Sequence, residues 1–247
     1  MNNILNFKSE HNFALKAALF ILSCIEETIE KQGLCSIILA GGNTPQSCYK
    51  RLSALIKERD IPVGSMYWFF GDERWVPVDN PQSNEGMARR LLLDPLDVMP
   101  DHVFSWHVDG STPIAGARRY QGILDDFFKS CSRSPDICLL GMGDDGHTAS
   151  LFPRSRIVTP DQKSIAIKKD IKADAVAVLL ADNKTYRLSL TPHFLNTSKN
   201  IIFLIRGQAK RKAFSELRTG STVLPASWIK GKNLSFFVGD EVLAHPG

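Results

Sequence analysis

A chain of 247 residues with 43% hydrophobic and 23% charged residues has the composition of a folded globular protein, which excludes disordered, collagenous and membrane-embedded classes. Thirty Lys and Arg against 26 Asp and Glu leave a net charge of +4, too small and too scattered for the basic stripe that nucleic acid requires. We therefore expect one domain over 1–247, with no nucleic-acid partner and room for a small anionic ligand. Five cysteines (Cys24, Cys35, Cys48, Cys131, Cys138) without CxxC or zinc spacing point to reduced packing residues, with neither a disulfide framework nor a metal. The amino terminus lacks a basic segment followed by an apolar one, and the apolar stretch 14–25 contains Lys16 and is too short to span a bilayer. The expectation is a cytoplasmic protein with no membrane partner.

The first predicted element is a helix over 13–31, where Leu15, Leu19, Leu22, Ile25 and Ile29 follow helical spacing and Gly33 stands ready to end it. A buried strand at 36–40 follows. Thr44 and Pro45 suit the Ncap and N1 positions of a helix carrying Tyr49, Leu52, Leu55 and Ile56. A strand at 66–70, a helix at 83–93 and a helix opened by Thr112 and Pro113 and running through Phe128 come next. Further strands are predicted at 137–140, 175–180, 187–190, 200–205 and 234–238, with a helix at 209–217. Strands alternating with helices imply an α/β fold: a doubly wound, mainly parallel Rossmann-like sheet with helices on both faces. The strands around 164–190 suggest a small antiparallel addition.

Three strand exits carry unusual loops: GGNTP at 41–45, GDERWVP at 71–77 and GMGDDGHT at 141–148. In an open parallel sheet the strand ends share one edge, and ligands bind where strand order reverses. The first loop joins glycines, which admit close backbone approach, to a helix amino terminus, which favours an anion. It would equally serve as an ordinary strand-to-helix turn. In the second, Asp72 or Glu73 can orient a sugar hydroxyl while Arg74 reaches a phosphate through paired N–H donors, or pairs structurally with a neighbouring carboxylate. Lys210, opening a later helix, is a second phosphate contact unless it belongs with Arg211 and Lys212 to a solvated face.

The third loop matches GxGxxG, but Asp144 and Asp145 would oppose a pyrophosphate and no ribose-binding acid ends a strand about 20 residues on. His147 makes better sense of it. A carboxylate from Asp144 or Asp145 fixes the imidazole tautomer, and the ring then takes a proton from water. The plainer alternative is a histidine packed against Leu151 and Phe152. His11, His102, His107, His193 and His245 lack a comparable setting. With no GxSxG, no HExxH and no cysteine beside a histidine, water is the expected nucleophile. These residues alone lead to a phosphate-bearing small molecule and a histidine base.

At the same positions the chain resembles the 6-phosphogluconolactonase family, which shares its fold with glucosamine-6-phosphate deaminase and ribose-5-phosphate isomerase. The likeness runs through LAGGNTP (39–45), FFGDERWVP (69–77), SN (83–84), LLGMGDDGHTASLFP (139–153), RLSLTPHFLN (187–196), Gly207 with Lys210, and LPAS (224–227). GMGxDGHTASLFP is specific to the lactonases, whereas GGxTP is shared with the deaminases. The resemblance implies hydrolysis of 6-phospho-D-glucono-1,5-lactone in the oxidative pentose phosphate pathway; no cofactor and a monomer are the accompanying expectations. It makes His147 the base with Asp145 beside it, and Gly42, Asn43, Thr44, Arg74 and Lys210 the 6-phosphate site. It also makes Arg187 and Asn196 members of the site wall, and Arg187 joins Asp72 among the expected substrate-binding residues. Asn43 replaces the Ser or Thr common in this loop, and Asp144 stands where Pro is frequent. An isomerase or deaminase on the same fold and a catalytically silent phosphosugar sensor are the rival expectations.

Overall fold

The computed structural model describes residues 3–106, 108, 111–159 and 163–243. Its elements in chain order are β1 (Asn3–Phe7), α1 (Glu10–Gln32), β2 (Cys35–Leu39), α2 (Thr44–Glu58), β3 (Met66–Phe70), β4 (Asp72–Arg74), α3 (Asn84–Ala88), β5 (Val103–Phe104) and α4 (Pro113–Leu124). They continue with β6 (Ile137–Leu140), β7 (Arg156–Val158), β8 (Ser164–Ala166), β9 (Ala175–Leu179), β10 (Tyr186–Leu190), α5 (Pro192–Leu195), β11 (Asn200–Ile205), α6 (Arg211–Arg218), β12 (Asn233–Gly239) and α7 (Asp240–Leu243).

Seven strands form one sheet in the order β1-β12-β11-β6-β2-β3-β5, every pairing parallel. From β2 the chain moves outward through β3 and β5, then returns to β6 on the opposite side, so strand order reverses between β2 and β6. Every residue of β2 and β6 is buried, as a strand covered by helices on both faces requires. A second sheet, β4-β10-β9-β7-β8, is antiparallel throughout. Gly71 joins the two: its N–H donates to Leu39 O of β2 at 2.9 Å, and its carbonyl accepts from Leu190 N of β10 at 2.8 Å.

Local chemistry explains most boundaries. Ser9 caps α1 by accepting from Asn12 N, and Gly33 closes it at φ 80°, where glycine avoids the Cβ penalty. The helix at 83–93 is α-helical only to Ala88, capped by the Ser83 hydroxyl, and then widens into a π turn over Arg89–Leu93. A similar π turn over Asp125–Lys129 continues α4. The expected Ncap at Thr44 moves back one residue: Asn43 holds the position in a helical conformation, and among the described residues no side chain caps α2. Strand β1 has no counterpart in the sequence reading, because it is an edge strand with three exposed residues and lacks the apolar run of a buried one. Cys35, Cys48 and Cys138 are buried packing residues as expected, whereas Cys131 is exposed.

Candidate active site

The carboxyl ends of β2, β3, β6 and β11 surround a cleft of about 310 Å³ at the point where strand order reverses. All three loops singled out in the sequence reach it. Two buried tyrosines fix the strand ends beneath. The Tyr49 hydroxyl accepts from Ala40 N and donates to Ala40 O, both at 2.8 Å, and the Tyr120 hydroxyl does the same for Phe70 at 2.9 and 3.2 Å. Each hydroxyl thus bonds both the N–H and the C=O of one residue at a strand end, and Phe70 O accepts from Trp106 Nε1 as well.

The anion-favouring end combines backbone with cations. Gly42, at φ +88°, turns the chain so that Gly42, Asn43 and Thr44 line the cleft at the uncapped amino terminus of α2. Arg74 and Lys210 line it as well. Arg74 also donates from Nη1 to the Gln82 carbonyl, which restrains its guanidinium. Arg187 lies directly across the β4–β10 pair from Arg74 and is not part of the cleft wall. Burial, and next the charge of Arg74, hold its pKa below the usual value.

The third loop forms a histidine–carboxylate pair. Asp145 Oδ1 is 2.6 Å from His147 Nδ1 and accepts from the His147 amide at 3.0 Å. The ring packs 4.0 Å from Phe152 and is about a quarter exposed. Burial raises the Asp145 pKa, but the bonds from His147 outweigh it and hold the carboxyl below the ordinary value. An ionised Asp145 makes Nδ1 the protonated nitrogen and leaves the Nε2 lone pair as the base. The loop admits no side chain at Gly143, where a Cβ would lie 2.0 Å from Nδ1, and Gly143 N donates to His147 O at 2.9 Å. Asp144 contributes no bond to the imidazole.

In β4 successive side chains point to opposite faces. Asp72 and Arg74 face the cleft, and the Ser150 hydroxyl donates to Asp72 Oδ2 at 2.6 Å, tying the second loop to the third. Glu73 points the other way, which removes it as a sugar ligand. Its buried carboxylate accepts from Arg74 N, Ser83 Oγ, Asn84 N and Glu85 N and so closes the amino terminus of α3. Burial pushes this carboxyl up to about 7 against those four donors.

Asn84, Arg206 and Ser150 were not singled out as site residues. Asn84 lines the cleft, donates to Asp72 O at 3.0 Å and fills the space that a Cβ at Gly41 would need, 2.0 Å from its Oδ1. Arg206 follows the last residue of β11 and lines the cleft, and an arginine at the exit of an apolar strand was the available signal. Asn196 sits elsewhere, holding the 228–230 segment through Trp228 O and Lys230 N. His11, His102 and His193 do not line the cleft, and His107 and His245 lie outside the described residues. Among the described residues no three His, Cys, Asp or Glu side chains gather as a metal site, and no helix is long and apolar enough to cross a membrane.

The model of the family described as glucosamine-6-phosphate isomerases/6-phosphogluconolactonase matches residues 8–238. A 6-phosphogluconolactonase from Nostoc sp. is 33% identical over 201 residues, covering 80% of this chain and 77% of its own. One from Thermotoga maritima is 32% identical over 217 residues, covering 87% and 89%. The crystal structure of 6-phosphogluconolactonase from Thermotoga maritima superposes with a TM-score of 0.81 over 97% of this chain and 100% of its own, at 26% identity. A monomeric glucosamine-6-phosphate deaminase shares the fold, with a TM-score of 0.80 at 20% identity over 98% of both chains. Sheet order, loop placement and these likenesses agree: the chain belongs to the 6-phosphogluconolactonase family.

Proposed function

We propose that the protein hydrolyses 6-phospho-D-glucono-1,5-lactone to 6-phosphogluconate, with His147 as general base. The observation that carries this reading is the 2.6 Å contact between Asp145 and His147 Nδ1 at the wall of a cleft whose other walls bring Arg74, Lys210 and the start of α2. The phosphate rests on the amides of Gly42, Asn43 and Thr44 with Arg74 and Lys210, and Asp72 orients a ring hydroxyl. Arg187 adds positive potential behind Arg74 without touching the ligand. Water attacks C1, and His147 Nε2 takes its proton as the tetrahedral intermediate forms. Collapse breaks the bond from C1 to the ring oxygen, which leaves with the proton from the imidazolium. Asp145 remains ionised throughout and stabilises the charged ring.

On this reading the enzyme acts in the oxidative pentose phosphate pathway as a cytoplasmic monomer; four strand exits of one chain enclose the cleft, so no second copy is needed to complete it. The test is a dehydrogenase-coupled assay on freshly made lactone, scored above spontaneous opening. His147→Ala is expected to lower kcat by about 10²- to 10⁴-fold in a folded protein. Absence of wild-type turnover above background refutes the function, and a fully active His147→Ala refutes the base.

A further inference from the structure

Strand β11 ends at Ile205, and the chain turns through Arg206, Gly207 and Lys210 into α6. Arg206 and Lys210 both line the cleft. What holds this turn comes from outside it. Glu241, in α7, is not part of the cleft wall, yet its Oε1 accepts from Gly207 N at 2.9 Å and from Arg206 Nε at 3.1 Å. Gly207 stands at φ +100°, and Lys210 N closes back on Gly207 O at 3.0 Å, so the bonded amide, the turn and the start of the lysine segment form one unit. Room for the carboxylate is built in: a Cβ at Gly239 would lie 2.3 Å from Glu241 Oε1. Arg211 ties α6 to the same residue through the Glu241 carbonyl at 3.0 Å. The Arg206 guanidinium lies 5.7 Å over the Phe13 ring, and the exposed Glu10 completes its surroundings at 3.5 Å.

We propose that Glu241 is a positioning residue for the anion end of the cleft, fixing through one carboxylate oxygen both the Arg206 guanidinium and the Gly207 turn that presents Lys210. The inference rests on the phosphosugar reading of that cleft. It makes affinity for the phosphate depend on a residue outside the cleft wall.

The sign of the effect separates positioning from simple electrostatics. A carboxylate near an anion site repels the anion, so deleting its charge alone would tighten binding. Loss of positioning weakens it. Glu241→Gln removes the charge and keeps an oxygen acceptor, and its KM for the phosphorylated lactone is expected at or below the wild-type value. Glu241→Ala removes both and is expected to raise that KM about tenfold with kcat little changed, the size of one charge-assisted bond. KM for unphosphorylated gluconolactone is expected to stay put in both variants. A folded Glu241→Ala with unchanged or lowered KM overturns the proposal, as does Gln weakening binding as much as Ala. Should the alanine variant fail to fold, Glu241→Asp keeps the charge but shortens the reach, and an unchanged KM there is equally fatal. Calorimetry with 6-phosphogluconate reads the same differences without turnover. A wild type that binds it but hydrolyses nothing would refute the lactonase reading alone, and one that does not bind it refutes both.

Discussion

Replacing Gly143 with alanine is expected to disable catalysis while leaving the fold intact. Gly143 is not at positive φ, so alanine takes up its backbone without strain and the whole effect comes from one methyl group. That methyl would lie 2.0 Å from His147 Nδ1, 2.2 Å from Cε1 and 2.7 Å from Asp145 Oδ1, where ordinary contact begins at 3.4 Å. The imidazole must therefore retreat by roughly 1 Å or more, and the 2.9 Å bond from Gly143 N to His147 O prevents the two backbones from parting without further loss. A misplacement of about 1 Å costs on the order of 10²-fold in rate, and the loss approaches about 10⁴-fold if the Asp145 bond breaks. Steady-state kcat in the coupled lactone assay measures this, with thermal melting as the check on folding. The low-field proton resonance of His147 Nδ1 is expected to shift or vanish. A variant with wild-type kcat and an undisturbed resonance would refute the geometry of the His147–Asp145 pair as the source of activity.

Arg74→Ala is expected to weaken use of the phosphorylated lactone about 10- to 150-fold, the worth of a charge-assisted hydrogen bond, while sparing gluconolactone; equal losses on both would give Arg74 a structural role through Gln82. Glu73 makes stability depend on pH. Its folded pKa of about 7 lies above the ordinary 4.5, so between these values the native state holds the extra proton and stability falls as pH rises. Glu73→Gln is expected to remove that fall, and a melting-temperature difference from wild type that is constant across the window would contradict it. Tyr49→Phe leaves the buried Ala40 N–H and C=O without their hydroxyl, a cost of about 1–3 kcal/mol, and each kcal/mol lowers the melting temperature by roughly 2–4 °C in a chain of this size; an unchanged melting temperature would show that another group satisfies that peptide.

Elements whose cause is local were legible in the sequence. Buried parallel strands such as β3, β6 and β11 announce themselves as short apolar runs and fall where the pattern put them. The end of α1 follows from Gly33 alone. Elements whose cause lies across the chain were not. Strand β1 depends on pairing with β12, more than 220 residues away, and β4 exists only through its pairing with β10. The same division runs through the cleft. His147 lies within three residues of Asp144 and Asp145, so spacing offered the histidine–carboxylate pair while leaving open which of the two carboxylates makes it. Asn84 and Arg206 enter from separate segments, and no short-range pattern assembles them. The choice between Asp72 and Glu73 required knowing which face of β4 each side chain takes.

That alternation makes the length of one short segment a determinant of the cleft's charge. Gly71 is anchored to both sheets, and Arg74, Glu73 and Asp72 stand opposite Arg187, Leu188 and Ser189. One residue inserted between Gly71 and Asp72 would slip β4 by a single position and exchange its two faces. Glu73 would then enter the cleft, while Asp72 and Arg74 would turn toward the start of α3, giving an acidic site where a phosphate needs a cation. The mirrored damage would fall on α3, whose free amides would meet a guanidinium. Length variation on this edge must therefore fall beyond Arg74, in the stretch toward α3, where an added residue leaves the phase of β4 unchanged.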